Sequence, residues 1–418
     1  MHFSELPLDK SILKAIKETG YDAPTPIQEK CIPLVLENKD IIASAQTGTG
    51  KTAAFALPII EKLIWHQNSK KKGKKIRALI VSPTRELAVQ IQDDFKTYAK
   101  YTNLRTTVVF GGTSIEPQKD VLKKGVDVLI ATPGRLLDLR KQEILSLSHI
   151  QTLVLDEADL MLDMGFYDDV NKIVKVCPKN RQILLFSATM PKKVLQLANV
   201  ILNNPEKVEV AANSSAAKNV NQLLYYVPRK KKLELCLHLL RNTVKGSILI
   251  FRRTKFGVDK LETSLKKNGY NVTSLHGDKS QSARQEALNK FKKNEVNILI
   301  ATDVAARGID INSLDAVINF DLPNIPETYV HRIGRTGRAG ESGNAYSFCG
   351  ADEMNYIKTI QQLIQKKIEL VEDHPYPMDK NTKAINHKGS GSKSINTKPG
   401  KKKGRKSANS KKNKKRWY

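Results

Sequence analysis

Short runs of apolar and β-branched residues alternate along the chain with longer segments of helical periodicity. Continuous apolar runs are typical of strands buried on both faces, and strands separated by helices predict parallel sheets covered by helices. In the first half the predicted strands are Asp40–Ser44, Ala78–Ser82, Thr107–Phe110, Val126–Ala131, Thr152–Leu155 and Gln182–Phe186. In the second half they are Ser247–Phe251, Asn271–Leu275, Asn297–Ala301, Ala316–Phe320 and Ala345–Phe348.

This alternation occurs twice, and 418 residues are too many for one ordinary core, so the pattern predicts two α/β domains in tandem. Between them, Val210–Asn221 is rich in Ala, Ser and Asn and favours a flexible connection. After Tyr376-Pro377 the chain is dominated by Lys, Asn, Gly and Ser. Such a segment cannot bury enough apolar surface to fold, so we expect it to be disordered. Lys70–Lys75 predicts a smaller exposed loop.

The positive charge of the chain is concentrated at one end. The formal net charge is +28, and Lys380–Tyr418 contains fifteen Lys or Arg and no Asp or Glu. The rest of the chain therefore holds 55 basic against 42 acidic residues. A field of this sign attracts polyanions, which points to nucleic acid, while a tail that serves only solubility is the alternative.

The remaining composition excludes several classes of protein. The four cysteines are far apart and form no C-x-x-C pair, so neither a zinc site nor a disulfide framework is predicted. No apolar run approaches the roughly 20 residues that span a bilayer. The first residues show no basic region followed by an apolar stretch, so no secretory signal is predicted. We therefore expect a cytoplasmic protein without a membrane partner.

A phosphate-binding loop is predicted between the first strand and a long helical segment. Glycines there let backbone N–H groups turn toward phosphate oxygens at a helix N-terminus. Lys51 is expected to contact the β and γ phosphates, and the Thr52 hydroxyl to bind Mg²⁺. The usual pattern begins with Gly, and a flexible Gly-Thr loop is the alternative. The loop reads Ala45-Gln46-Thr47-Gly48-Thr49-Gly50-Lys51-Thr52.

Acidic residues follow the predicted strand Thr152–Leu155, in the sequence Asp156-Glu157-Ala158-Asp159. An acid at the end of an apolar strand, downstream of a phosphate loop, is the expected second group of an Mg²⁺ site. We assign that role to Asp156, acting through water. Glu157 can then orient and deprotonate the attacking water, whereas a solvated acidic turn is the alternative reading.

Together these motifs resemble those of the DEAD-box helicases of superfamily 2, from about Phe3 to Gly350. The resemblance implies an α/β fold with two tandem RecA-like domains, each a parallel sheet covered by helices, plus a disordered basic C-terminal tail. It implies an ATP-dependent RNA helicase that uses ATP and Mg²⁺. The implied segments are an adenine-recognition (Q motif) segment 1–29, a helicase ATP-binding domain 30–209, a linker 210–221, a helicase C-terminal domain 222–376 and a Lys-rich tail 377–418.

The resemblance also assigns roles around the nucleotide. Gln28 is implied to hydrogen-bond the adenine edge, with Tyr21 stacking near it and Phe3 as an upstream aromatic residue. A carboxamide suits adenine because it carries both a donor and an acceptor. Without the family, a capped helix entry would be the preferred reading of Gly20–Gln28. Asp310 matches the family acid near the ribose.

Two further motifs are implied to couple ATP hydrolysis to RNA. Ser187-Ala188-Thr189 matches the family element that links hydrolysis to strand separation, although alone it reads as an ordinary turn. In the segment His331–Arg338, Arg335 and Arg338 are implied to reach the γ-phosphate across the cleft, and His331 to connect the site to the coupling motif. A structural salt-bridge network is the alternative for these arginines.

The implied RNA track holds the sugar–phosphate backbone, for which arginines, Thr hydroxyls and glycine N–H groups are suitable donors. Contacts to 2′-hydroxyls would give a preference for RNA. Arg252, and Leu160 after the acidic motif, depart from the family pattern. The implied residues are Pro83, Thr84, Arg85, Gly111, Gly112, Thr132, Pro133, Gly134, Arg135, Arg253, Thr254, Gln281, Arg284, Thr302 and Asp303.

The overall arrangement is most similar to the bacterial RhlE-like branch. We expect a monomer that acts on structured or ribosomal RNA, with ribonucleoprotein or ribosome-assembly proteins as partners, while ribosome assembly, RNA decay and cold adaptation all stay open as pathways. Two other functions stay open at this point. One is a DNA-acting helicase or translocase of the same superfamily, and the other is an RNA chaperone whose basic tail anneals strands while ATP times release.

Overall fold

The computed structural model describes residues 1–45, 48–65, 75–210, 220–306, 309, 311, 314–337 and 343–379. It contains two sheets, each of seven parallel strands, with helices packed on both faces of each sheet. The predicted fold of two tandem parallel α/β domains is therefore confirmed. The predicted loop Lys70–Lys75 and the tail lie almost entirely outside the described residues.

The first sheet has the strand order β3-β4-β2-β5-β6-β1-β7. Its strands are β1 (Ile41–Ser44), β2 (Ala78–Val81), β3 (Thr106–Val109), β4 (Val128–Ala131), β5 (Thr152–Leu155), β6 (Gln182–Ser187) and β7 (Glu206–Glu209). The helices of this domain are Lys10–Glu18, Pro26–Leu36, Lys51–Trp65, Arg85–Tyr98, Glu116–Lys123, Pro133–Lys141, Ala158–Asp163, Tyr167–Val176 and Lys192–Ile201, with a short 3₁₀ turn at Phe3–Glu5.

The second sheet has the equivalent order β10-β11-β9-β12-β13-β8-β14. Its strands are β8 (Val220–Tyr226), β9 (Ile248–Phe251), β10 (Val272–Leu275), β11 (Ile298–Ala301), β12 (Ala316–Asn319), β13 (Gly343–Cys349) and β14 (Glu369–Leu370). The helices are Lys232–Asn242, Lys255–Lys267, Gln281–Lys292, Asp303–Ala306, Pro326–Ile333 and Met354–Ile364, with 3₁₀ turns at Arg229–Lys231 and Ala351–Glu353.

Each sheet lies between two hydrophobic cores because successive side chains of a strand point to opposite faces. In β2, Ala78 and Ile80 enter one core and Leu79 and Val81 the other. This double burial explains why the central strands are continuous apolar runs. All four cysteines are buried and unpaired. Within the described residues, the helices are too short or too polar to cross a bilayer.

Three strands were not predicted from the sequence: β7, β8 and β14. Strand β7 is at the edge of its sheet and buries only Val208, so it lacks an apolar run. Strand β8 begins at Val220, so the last two residues of the predicted connection 210–221 belong to a strand. Of that connection, residues 211–219 lie outside the described part of the chain.

The topology brings the predicted motifs together. Strands β5, β6 and β1 are neighbours, and all run in the same direction. The phosphate loop, the acidic motif and Ser187 stand at the carboxyl ends of these three strands. Parallel sheets bind ligands at this edge, so the first domain presents its polar motifs at one site.

Candidate active site and nucleic-acid interface

A cavity of about 390 Å³ lies at the carboxyl edge of the first sheet and is closed on one side by the second domain. Lys51, at the start of its helix, and Glu157, after β5, meet inside it, with Lys51 Nζ 2.6 Å from Glu157 Oε1. Both side chains are at least nine-tenths buried. Predicted residues that line the cavity are Tyr21, Gln28, Gly48, Gly50, Lys51, Thr52, Asp156, Glu157 and Arg335.

The charges in this cavity favour a cation beside the acids. Burial alone would lower the pKa of Lys51, but the charges of Glu157 and Asp156 outweigh it and raise that pKa, so the ammonium stays charged. Burial raises the pKa of Asp156 to about 7, against the opposing charge of Lys51. Asp156 Oδ1 is buried and finds no hydrogen-bond partner among the described residues. A buried carboxylate oxygen in this condition is suited to a hard cation or its bound water.

The predicted adenine segment is bonded directly to the phosphate loop. Gln28 Oε1 accepts from the Thr25 N–H at 2.9 Å, and its Nε2 donates to the Gly50 carbonyl at 3.1 Å. Thr25 Oγ1 donates to the Thr49 carbonyl at 2.8 Å. Gly50 has a φ of +88°, and a Cβ there would collide with the Gln28 side chain. The glycine is therefore needed both for its backbone angle and for this close approach.

Three described residues that were predicted to bind nucleotide, Phe3, Ala45 and Thr49, are not among those that line the cavity. Phe3 is 5% exposed and packs in the core of the first domain, where it anchors the start of the chain. Ala45 is 3% exposed and donates its N–H to the Ser187 carbonyl at 3.1 Å, which ties β1 to the end of β6. Gln46, Thr47, Asp310 and Arg338 lie outside the described residues.

The arginines of the second-domain motif have different surroundings. Arg335 is 6% exposed, lines the nucleotide cavity and donates to the Ile309 carbonyl at 2.9 Å. Arg332 is 1% exposed and lies inside the domain, bidentate to Asp303 at 2.6 and 2.8 Å. It also donates to Asn319 Oδ1 at 3.1 Å. The motif thus combines one arginine that lines the cavity with one that is bonded inside the second domain.

The predicted coupling motif is fixed to the last acid of the acidic motif. Asp159 Oδ2 accepts from the Thr189 N–H at 2.9 Å and the Thr189 hydroxyl at 2.7 Å, and the Asp159 N–H donates to Ser187 Oγ at 3.1 Å. Burial would raise the pKa of Asp159, but these bonds and the charges of Lys51 and His331 hold it below its usual value. His331 lines the same small cavity as Asp159 and Thr189. Ala188 joins the two residues that bind Asp159.

A second cavity, of about 480 Å³, lies between the domains and is called the track cavity here. Burial and the guanidinium groups of Arg284 and Arg135 lower the pKa of Arg85. The Glu86 carboxylate opposes this shift and pairs with Arg284, and Asp138 lies 3.8 Å from Arg135, so the three arginines outnumber the two acids beside them. Arg135 Nη1 and Arg284 Nε are buried without hydrogen-bond partners among the described residues. Predicted residues lining this cavity are Pro83, Thr84, Arg85, Gly111, Thr132, Gly134, Arg135 and Arg284.

Side chains of the track also connect the two domains. Arg85 Nη1 donates to Gln281 Oε1 at 3.0 Å, and Gln281 Nε2 donates to Glu86 Oε1 at 3.2 Å. Arg284 Nη2 lies 3.1 Å from the same Glu86 oxygen. Gly112, with a φ of +74°, leaves the space that Arg85 occupies. Gln281 and Arg284 are therefore held against the first domain.

The other predicted track residues lie away from this cavity. Pro133 is the first residue of its helix, and Thr302 Oγ1 accepts from the Ala305 N–H at 3.4 Å. The Asp303 carboxylate is engaged by Arg332. Arg253 and Thr254 line a separate groove on the second domain.

Arg252, which departs from the family pattern, packs inside the second domain. Its guanidinium lies 4.3 Å from the Phe320 ring centroid, and its Nε lies 3.4 Å from Asp321 Oδ2. A cation stacked on a ring and paired with an acid is a structural contact, so the departure does not add a phosphate ligand.

Two residues inside predicted motifs make contacts to which the sequence assigned no role. Asp159 binds both polar residues of the coupling motif, and Glu86 receives both polar side chains of the second-domain helix Gln281–Lys292. Asp159 stands beside the predicted catalytic acids, and its position at a strand end was a usable signal. Glu86 carries no such signal, because its partners are almost two hundred residues away.

Two parallel α/β domains that share a nucleotide cavity and an arginine-lined track define a nucleic-acid-dependent ATPase. Comparison with known families agrees. A family model described as DEAD/DEAH box helicase matches residues 25–197, and one described as Helicase conserved C-terminal domain matches residues 231–340.

Relatives with curated names cover most of the chain. The chain is 46% identical over 370 residues to the ATP-dependent RNA helicase CshA of Limosilactobacillus reuteri, covering 88% of this chain and 73% of that protein. It is 45% identical to the DEAD-box ATP-dependent RNA helicase RhpA of Helicobacter pylori strain 26695, covering 88% and 74%. The chain therefore belongs to the DEAD-box family of ATP-dependent RNA helicases.

Solved structures show the same fold. The DEAD-box helicase Mss116 bound to ssRNA and UDP-BeF has a TM-score of 0.80 at 31% identity, covering 89% of this chain and 79% of that one. Dbp5 of S. cerevisiae bound to RNA and ADP BeF3 has a TM-score of 0.78 at 33% identity, covering 88% and 95%. A DEAD box protein from Methanococcus jannaschii is 40% identical with a TM-score of 0.51, covering 89% and 99%.

Proposed function

We propose that this helicase hydrolyses ATP to ADP and phosphate between its domains and uses the reaction to clamp RNA, open duplexes locally or remodel ribonucleoproteins. One observation carries the proposal: each cavity is lined from both sides. Arg335 joins Lys51 and Glu157 around the nucleotide, and Arg284 joins Arg85 around the track. ATP and RNA would each bridge the domains, so each ligand favours the geometry that the other needs.

The direct test measures ATP hydrolysis and the unwinding of a short duplex with RNA and DNA of equal length. RNA should stimulate hydrolysis and DNA should not. Equal stimulation by both would favour a DNA-acting translocase and contradict the proposal.

In the proposed complex, Gln28 and Tyr21 bind the adenine and Asp310 binds near the ribose. The loop Ala45–Thr52 surrounds the phosphates, with Lys51 on the β and γ groups. Because Gln28 is bonded to the Gly50 carbonyl, contact with the base is transmitted to the phosphate loop. Phe3 supports the adenine segment from the core.

The residues present fit Mg²⁺. Asp156 and Thr52 would hold it, since the buried Asp156 Oδ1 has no partner among the described residues and Thr52 lines the same cavity. Bound there, Mg²⁺ would supply positive charge that offsets the phosphate oxygens.

Hydrolysis requires the Lys51–Glu157 pair to separate. When Lys51 turns to the phosphates, the Glu157 carboxylate is released to orient a water molecule and accept its proton. Arg335, together with Arg338, stabilises charge on the γ-phosphate from the second domain. His331 and Ser187-Ala188-Thr189 couple hydrolysis to RNA through Asp159, which Thr189 binds and which lines the same cavity as His331.

RNA is proposed to lie in the track cavity and to be held mainly through its backbone. Arg85, Arg135 and Arg284 would neutralise phosphates, and Thr hydroxyls and glycine N–H groups would contact sugars and phosphates. The remaining proposed contacts are Pro83, Thr84, Gly111, Gly112, Thr132, Pro133, Gly134, Arg253, Thr254, Gln281, Thr302 and Asp303.

The finer assignments complete the proposal. We propose an RhlE-like enzyme that acts as a monomer in the cytoplasm on structured or ribosomal RNA, with ribonucleoprotein or ribosome-assembly proteins as partners. We retain an adenine segment 1–29, an ATP-binding domain 30–209 and a Lys-rich tail 377–418. The linker then spans 210–219, and the second domain 220–376, because β8 begins at Val220.

ATP and RNA together are expected to close an otherwise open cleft. Compared with Dbp5, the Methanococcus protein has the higher identity but the lower TM-score over nearly the same share of the chain, which supports different relative placements of the two domains. Dyes on Glu143→Cys and Lys293→Cys can follow closure, because both positions are exposed and the native cysteines are buried. Adding RNA and a non-hydrolysable ATP analogue should shorten the distance between the dyes.

The variant Glu86→Ala sharpens the measurement, because it removes the acceptor of both Gln281 and Arg284. It should leave more molecules open at the same ligand concentrations. A distance that is unchanged by both ligands would contradict the closure scheme.

Deleting Lys380–Tyr418 is expected to weaken RNA binding at low salt and to flatten its salt dependence. The deletion removes fifteen positive charges. For single strands, the logarithm of the binding constant changes with the logarithm of the salt concentration with a slope of about −0.7 per phosphate neutralised. Basal ATP hydrolysis should survive, and RNA-stimulated activity should recover at saturating RNA, because the tail raises local RNA concentration. Equilibrium binding across a salt series measures the effect.

An unchanged salt slope would mean that the tail serves only solubility. Strand annealing without ATP, compared between the full chain and the deletion, tests whether the tail adds annealing as a second activity.

A further inference from the structure

A large aromatic side chain is exposed on the second domain, next to proposed RNA contacts. Phe256 is 74% exposed and is the second residue of the helix Lys255–Lys267. Thr254, a proposed RNA contact, caps this helix by accepting from the Gly257 N–H at 3.0 Å. Single exposed apolar residues are common, so Phe256 acquires meaning only from its surroundings.

Phe256 lines a groove of about 680 Å³, called the Phe256 groove here, whose exposed charges are mainly positive. Arg229, Lys230 and Lys260 are exposed around it. The acids at its base are already neutralised: Glu353 pairs with Lys232 at 2.5 Å and with Arg253 at 2.8 Å, and Asp321 pairs with Arg252. Arg229 lies 3.8 Å from the lining acid Asp352, whereas Lys230 and Lys260 form no ion pair within the described residues and are available to an anionic ligand.

The backbone beneath Phe256 is held in place. Arg252 stacks on Phe320 and passes below Gly257, where a Cβ would collide with its guanidinium. The ring is thus presented by a fixed helix start, which reduces the conformational entropy lost when a ligand binds.

The groove shares no lining residue with the track cavity, but one ion pair connects their surroundings. Lys255, beside Phe256, forms an ion pair at 2.6 Å with Asp278, and the neighbouring Gly277 lines the track cavity. Arg253 and Thr254 line the groove itself. The Lys255–Asp278 pair thus joins a residue beside Phe256 to one beside the track cavity.

We propose that the Phe256 groove extends the RNA track, with one unpaired base stacked on the Phe256 ring and the adjoining phosphates facing Arg229, Lys230 and Lys260. Aromatic rings in basic grooves bind single strands in this way, without regard to sequence. This inference rests on the proposed function and adds a preference for RNA with a single-stranded extension, because a base inside a duplex cannot stack on the ring.

The test is equilibrium binding of unstructured RNAs of about 4 to about 16 nucleotides, with a non-hydrolysable ATP analogue. Wild-type affinity should rise once the RNA is long enough to reach the groove. Phe256→Ala should remove about five- to tenfold of that gain, as expected for loss of one stacked base. Phe256→Leu should behave like Phe256→Ala, whereas Phe256→Trp should retain the gain. RNA carrying 2-aminopurine at successive positions should show quenching at one position, absent in Phe256→Ala.

Val200→Ala is the matched control, because Val200 is 72% exposed on the first domain. It should not alter binding at any length. Length dependence that is identical in wild type and Phe256→Leu would overturn the proposal and favour a protein partner for the ring. Binding and ATPase stimulation by the shortest RNA should be equal in all variants. If the wild-type protein neither bound the shortest RNA nor hydrolysed ATP faster in its presence, the proposed function itself would be overturned.

Discussion

Glu157→Gln is expected to bind ATP and RNA but to hydrolyse ATP about 10²–10⁴-fold more slowly, leaving a long-lived RNA clamp. An amide has nearly the shape of the carboxylate but cannot accept the proton of the attacking water, and general-base catalysis contributes about this factor. Single-turnover hydrolysis with bound RNA measures the chemical step, and the dissociation rate of RNA in ATP measures the clamp.

The stability of this variant must be measured beside its activity. Lys51 and Glu157 form a buried pair, and removing one partner of a buried pair can cost about 3–5 kcal/mol. The cost here should be smaller, because Asp156 and Asp159 also lie near Lys51 and hold its charge. Thermal unfolding close to that of wild type is therefore expected.

Glu143→Gln is a suitable control, since it makes the same chemical change at an exposed carboxylate. It should leave hydrolysis unaltered. If Glu157→Gln retained near-normal RNA-stimulated hydrolysis while folded, Glu157 would have no role as the base.

The sequence predicted the central strands because their physical signal is strong. A strand buried on both faces must be apolar throughout, and all eleven predicted strands recur in the structure with ends shifted by no more than two residues. Edge strands lack that requirement. Strand β7 exposes three of its four residues, and β14 has only two residues, both exposed. Their existence is decided by pairing with β1 and β8, which local sequence does not encode.

In the site, too, some residues could be predicted from the sequence and others could not. Lys51, Asp156 and Glu157 could be placed because each follows a strand that ends at a shared edge. The contacts between domains could not, because Glu86 has no pattern that points to Arg284, almost two hundred residues later in the chain. The family resemblance assigned Arg335 and not Arg332 to the γ-phosphate, but the residue types alone give no reason for this difference, and burial supplies one.

This difference gives the final prediction: alanine substitutions of two arginines three positions apart should impair the protein for different reasons. Arg335→Ala should fold normally and lose about 10³–10⁵-fold in RNA-stimulated turnover, the range for an arginine that stabilises transferred-phosphate charge. Arg332→Ala should lower the unfolding temperature of the second domain and reduce its free energy of unfolding by about 3–5 kcal/mol. The loss follows because Arg332 is 1% exposed, and its removal takes both donors from Asp303 and one from the buried Asn319.

Thermal unfolding and single-turnover hydrolysis, measured on both variants, separate the two roles. Arg335→Lys keeps the charge but loses the planar fork, so it should recover only part of the activity. Arg241→Ala, at an exposed position, should change neither property. If Arg335→Ala were as destabilised as Arg332→Ala, with activity per folded molecule intact, Arg335 would be a structural residue and the charge on the γ-phosphate would depend on other groups. That result would remove the reason for the second domain to dock before hydrolysis, since Arg335 is the described second-domain side chain proposed to act on the phosphate.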